Sequence, residues 1–163
     1  MRGEHEYAMD LTEESMSLAQ ALNSRPLIAD AQMLGASVAL RVGNFEQCKE
    51  QLKECLIYYR QAGNRASIPV CLLMSAELTL ASIVAQEASR LAALERAARL
   101  LGAVSILQDV TGAAMLHADR DNLEAVLASV KAQLSEVAFR IASDEGRAMT
   151  IEQAIDYALE GTN

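Results

Sequence analysis

The sequence predicts an all-α protein built from helical hairpins, and three observations carry that prediction. The chain matches itself at an offset of 40 residues. Gly3-Glu4-His5-Glu6 returns as Gly43-Asn44-Phe45-Glu46, Ala8 aligns with Cys48, Glu14 with Glu54, Arg25 with Arg65, Ala36 with Ala76 and Leu40 with Leu80. A fixed period of this size marks an array of helical repeats, in which each unit buries its apolar face only by stacking on a neighbour. The composition agrees: 52% of residues are hydrophobic but only 4% aromatic, and the bulk is Ala, Leu, Ser, Glu, Arg and Gln, mostly good helix formers. Two Pro and eight Gly leave few places where a helix must break. At 163 residues the chain suffices for one domain with a core. We read residues 1–163 as a single domain, with repeats over 1–109 and C-terminal capping helices over 110–163.

About seven helices follow from the pattern. The first spans roughly Glu4 to Leu22 and breaks at Asn23-Ser24-Arg25-Pro26. Ser24 is the expected N-cap of the second, and Pro26 sits in its first turn, where a missing N–H costs nothing. The second helix runs to Val42, where Gly43 supplies a left-handed C-cap. The third covers Phe45 to Ala62 and stops at Gly63-Asn64. Pro69 must lie in the first turn of the fourth, so Ser67 is its cap in preference to Asn64. No Gly or Pro marks the end of the fourth helix, which we place between Val84 and Arg90. An unbroken helix from Ala66 to Asp109 would be unusually long. The fifth covers Leu91 to Asp109, and a polar, Gly-containing link follows from Val110 to Arg120. Asp121-x-x-Glu124 reads as a capping box opening a sixth helix that reaches Ser143. Asp144-Glu145-Gly146-Arg147 reads as a turn. Thr150-x-x-Gln153 is a second capping box, opening a last helix that stops at Gly161.

Stacked helix pairs need small residues where backbones cross. Gly35, Ala36 and Ala39 in the second helix correspond to Ser75, Ala76 and Thr79 in the fourth. Cys48 and Cys55, seven apart and on one face, correspond to Ala8 and Ser15. Leu34, Leu40, Leu52 and Leu56 are the larger anchors between them. The order Ala36, Gly43, Phe45, Cys48, Cys55 resembles the tetratricopeptide repeat: a small residue, the turn Gly, the aromatic after the turn and two further small residues. Gln32 and Ala39 stand where that family carries Trp and Tyr, and the period of 40 exceeds its usual length of about 34. The resemblance implies a solenoid coiled as a right-handed superhelix. It also implies a concave groove lined by Asp30, Met33, Ser37, Leu40 and Arg41, then by Val70, Leu73, Glu77 and Leu80. Such a mixed wall suits a peptide or helix ligand.

The second half adds Glu95-Arg96-Ala97-Ala98-Arg99-Leu100-Leu101-Gly102-Ala103, Leu134-Ser135-Glu136-Val137-Ala138-Phe139 and Glu145-Gly146-Arg147-Ala148-Met149-Thr150. From about Glu87 to Glu160 this resembles the C-terminal end of bacterial STAND-type regulators. In these a nucleotide-binding ATPase precedes a tetratricopeptide array, often with a LuxR-type or AfsR-type DNA-binding module. The resemblance implies a sensor module that binds a protein, a peptide or a small inducer, with the ATPase outside this chain. Ile151, Ala154, Ile155 and Ala158 form one apolar stripe, expected to cap the end of the array.

Charge and motifs exclude several classes. A net charge of −8 argues against direct nucleic-acid binding and against anionic membrane surfaces. Ile68 to Ala85 is apolar, but Ser75, Glu77, Thr79 and Ser82 interrupt it, as in a helix buried by other helices. The N-terminus has no signal-peptide pattern, and the three cysteines form no C-x-x-C pair, which fits a cytoplasmic protein. All three are expected as buried thiols. No Walker A, G-x-S-x-G or H-E-x-x-H sequence occurs. His5 is expected to pack in place of the post-turn aromatic, and His117 to be solvated. We therefore expect no catalytic, cofactor or metal site. The expected function is a non-enzymatic interaction or sensor module, with a free-standing dimerising, peptide-binding adaptor as the alternative. The first helix lacks an upstream neighbour, so self-association through it is a further expectation.

Overall fold

The computed structural model describes residues 2–82, 87–112 and 115–160. Among these residues there are eight α-helices and no strands: α1 Arg2–Ala21, α2 Arg25–Val42, α3 Phe45–Ala62, α4 Ile68–Ala81, α5 Glu87–Thr111, α6 His117–Gln133, α7 Glu136–Arg147 and α8 Ile151–Glu160. The chain divides into two compact units, Met1–Gly63 and Asn64–Gly161. Helix α5 packs on α4, α6, α7 and α8, all in the second unit.

In the first unit α1 packs on α2, and α2 on α3. Gly43 and Gly63 end α2 and α3 at φ 79° and 66°, the left-handed conformation that a side chain disfavours, and their N–H groups bond to the last helical carbonyls. Ser24 occupies the N-cap of α2 but makes no side-chain cap bond, whereas Asn44 caps α3 by accepting from the Gln47 N–H at 3.3 Å. The interior is made of small residues, Ala29, Ala31, Gly35, Ala36, Ala39, Cys48 and Cys55, with Leu52, Leu56 and Tyr59 as its large members. Leu34 departs from the expected role of core anchor: it is exposed on α2.

In the second unit α4 is buried on nearly every side, as its even hydropathy predicts. Ser67 is at its N-cap and accepts from the Asn64 amide at 3.1 Å. The helix ends at Ala81, earlier than expected, with Ser82 as its C-cap. The single helix expected from Asp121 to Ser143 is two helices. Asp121 and Glu124 are exposed inside α6, which already begins at His117 with Leu116 at its N-cap. Leu134 then leaves the helical conformation, and Ser135 caps α7 by accepting from the Ala138 N–H at 3.2 Å. The capping box before α8 is formed as expected: Gln153 N–H donates to Thr150 Oγ1, and Thr150 N–H to Gln153 Oε1. Ala154, Ile155 and Ala158 are buried. The stop expected at Gly161 and the side chain of His5 lie outside what the structure describes. His117 is exposed.

The expected turn at 144–147 is instead the last part of α7, and Glu145, Gly146 and Arg147 all meet α5. Gly146 faces the Arg99 backbone of α5 so closely that a Cβ there would collide with the Arg99 carbonyl oxygen. Gly102 on α5 does the same against the backbone of Ser143. Two helices thus meet through reciprocal glycines. Glu145 accepts from Arg99 Nε at 2.5 Å, and Arg147 donates to Ser105 Oγ at 2.9 Å. Partial burial works against the Arg99 charge, but its bonds to Glu145 and Tyr157 outweigh this and raise its pKa above the ordinary value. Arg96 stacks 4.3 Å from the Tyr157 ring centroid and donates to the carbonyls of Tyr157 and Ala158 at the end of α8.

Candidate functional site

The residues expected to line a groove fall on α2 in the first unit and α4 in the second, and their surroundings differ. On α2, Asp30 and Arg41 are exposed, while Met33, Ser37 and Leu40 are half-buried. Asp30 Oδ1 accepts from the Tyr59 hydroxyl of α3 at 2.7 Å, and Met33 Sδ lies 3.8 Å from the same hydroxyl. This side of α2 is thus partly occupied by its own hairpin partner. On α4, Leu73 is 1% exposed and belongs to the core of the second unit. Glu77 is half-buried and accepts from Asn122 Nδ2 of α6 at 2.5 Å. Val70 and Leu80 are half-buried. In this unit α6 and α8 both pack on α4. Leu73 and Glu77 are thus engaged within the second unit.

Open apolar surface lies elsewhere in the first unit, on α1. Its seam to α2 is Ala8, Thr12, Ser15 and Ala19, a spacing of four, three and four that keeps one face of the helix inward. One residue earlier along the chain, about 100° around the helix, runs a second stripe. There Tyr7 is 65% exposed, Leu11 45% and Leu18 58%, and Leu22, the first residue past the end of α1, is 69% exposed. The opposite flank of α1 is different in character. Thr12, Glu13, Met16, Ser17 and Gln20 face a cavity of about 200 Å³ shared with Ala31, Gly35, Gln47 and Gln51 of α2 and α3. Leu27 and Leu34 add exposed apolar side chains on α2.

A cavity of about 300 Å³ lies between α2 and α3, lined by Arg25, Ile28, Ala29, Gln32, Glu54, Ile57, Tyr58 and Gln61. Arg25 sits 5.8 Å from the Tyr58 ring centroid, and Gln32 donates to Glu54 across the mouth. Neither lining contains a histidine or a cysteine. Among the described residues no three His, Cys, Asp or Glu side chains gather to hold a metal ion, and no helix is long and apolar enough to cross a membrane. Cys48, Cys55 and Cys71 are all buried thiols, as expected from their alignment with small positions.

The α1 stripe was legible only in outline. The first helix was expected to self-associate for want of an upstream neighbour, but the seam to α2 had to be known before its outward residues could be told from the inward ones. Comparison with known protein families, with characterised proteins and with solved structures returns no match for this chain.

Proposed function

We propose that this chain is a non-enzymatic protein-interaction module whose N-terminal unit binds a helical segment of another protein. The observation that carries this reading is an inversion of bulk in the first unit. Its interior is mostly Ala, Gly and Cys, while Tyr7, Leu11 and Leu18 are exposed along one face of α1 and Leu22 is exposed just past its end. Contiguous exposed apolar residues rimmed by polar ones mark interaction surfaces. A stripe at helical spacing fits a helix laid alongside it. The sequence resemblance gives this module a setting: a tetratricopeptide-like array at the sensor end of a bacterial, cytoplasmic STAND-type regulator. There a bound protein, peptide or inducer would bias an ATPase switch.

The test is selection of amphipathic helical peptides from a displayed library against the full chain. Bound peptides should carry apolar residues at i, i+3, i+4 and i+7 and should lose at least tenfold in affinity against Leu18→Glu. Circular dichroism should show that variant still folded, because Leu18 is exposed. Peptides that bind the variant equally well would rule out this surface as the binding site.

A further inference from the structure

The apolar stripe on α1 is symmetric along the helix. Leu11 and Leu18 are equally far from the midpoint between Glu14 and Ser15, and so are Tyr7 and Leu22. The charges are arranged in the opposite sense. Every charged residue of α1 lies at or before Glu14, and five of the six are acidic: Glu4, Glu6, Asp10, Glu13 and Glu14. Residues 15–24 carry no charge.

We propose that two copies of this chain pair through α1, antiparallel, about a two-fold axis that passes between Glu14 and Ser15. A two-fold interface needs a self-complementary surface, in which residue i of one copy meets j of the other and j meets i. The stripe has that property. Leu11 of one copy meets Leu18 of the other on both sides of the axis, and Tyr7 meets Leu22 at both ends. Glu14 then meets Ser15, so the polar gap in the stripe falls on the axis, where water can reach it. The charge pattern selects the direction. Antiparallel pairing lays each acidic half along the uncharged half of the other copy. Parallel pairing would stack acidic half on acidic half, with like charges opposed over the N-terminal half of the seam. The chain's net charge of −8 opposes any self-association at long range, so added salt strengthens the pair by screening. The proposal rests on the reading of the α1 face as an interaction surface and names its occupant.

Sedimentation equilibrium of the full chain tests it. The expected result is a monomer–dimer equilibrium that shifts towards dimer as salt rises from low to physiological strength. Leu11→Glu and Leu18→Glu each place an unpaired charge in the seam and should lower the association constant by roughly a hundredfold or more. Both positions are exposed, so circular dichroism should show folded variants. Direction is read from mixtures. Leu11→Lys mixed with Leu18→Glu should form a one-to-one heterodimer, because antiparallel pairing brings the introduced charges together. Leu11→Lys mixed with Leu11→Glu should not. Pairing of the second mixture and not the first would mean a parallel seam and would overturn the proposal. So would a full chain that stays monomeric at millimolar concentration, or a dimer indifferent to Leu18→Glu. A monomer that still binds selected helical peptides through Leu18 would end self-pairing alone and leave the interaction reading standing.

Discussion

Tyr59 is the largest fully buried side chain, yet its hydroxyl reaches the surface of the α2–α3 hairpin to donate to Asp30. The ring packs edge-on against Tyr58 at 5.9 Å. The hydroxyl then fixes how far α3 can slide along α2. Tyr59→Phe keeps the ring and removes the donor. Because Asp30 is exposed and water can replace the lost partner, the expected cost is about 1 kcal/mol rather than the larger figure for a buried charged acceptor. Urea denaturation measures it, and a change within a few tenths of a kcal/mol would mean the bond does not hold the hairpin. Asp30 itself was read from sequence as a groove residue. Its pairing with a residue 29 positions away depends on hairpin register, which no local pattern carries. The cysteines were legible for the opposite reason. Their offsets of 40 residues from Ala8, Ser15 and Ala31 mark positions where only small side chains fit, and all three are buried.

At the scale of elements, α5 and α7 cross in close backbone contact at Gly102 and Gly146. Gly→Ala in an open helix should stabilise by about 1 kcal/mol, because glycine loses more backbone freedom on folding. At Gly146 the sign reverses. The added methyl would meet the Arg99 carbonyl, part of a rigid helix backbone rather than the end of a flexible chain. Gly146→Ala should therefore cost roughly 1–3 kcal/mol, the range for overpacking. Gly35→Ala is the matched control. The atoms nearest its methyl would be those of the Gln51 amide, the far end of a flexible side chain, so its cost should be clearly smaller. Equal effects from the two substitutions, read from denaturation midpoints, would refute the crossing as described. Gly43 and Gly63 were legible as helix stops because a left-handed C-cap is a local requirement. Gly146 was misread as a turn because close approach to a distant backbone leaves no local trace, and acidic neighbours with a following Arg look the same in a loop. The break between α6 and α7 was missed for a related reason. Neither Gly nor Pro marks Leu134-Ser135, and a Ser before Glu-Val-Ala is as acceptable inside a helix as at its cap.

For the molecule as a whole, the two compact units differ in what they bury. The second unit buries Ile68, Leu72, Leu100, Leu101, Val104, Val130 and Ile155 among five helices, and the charged pair of Arg99 with Glu145 joins α5 to α7. The first unit has three helices, a small-residue interior and its apolar bulk partly outside. Apolar area removed from water is the main stabilising term, and it rises steeply with chain length at this size. A fragment of residues 64–163 should therefore fold alone, with a cooperative urea transition and a helical spectrum. A fragment of residues 1–63 should be marginal when dilute. If α1 pairs as proposed, its helicity should rise with concentration, because pairing stabilises the folded form by mass action. Circular dichroism of both fragments over a hundredfold range of concentration decides this. A dilute 1–63 fragment that is fully folded, beside a 64–163 fragment that is not, would show that stability resides in the small-residue hairpin. The first unit would then be stable without any pairing through α1.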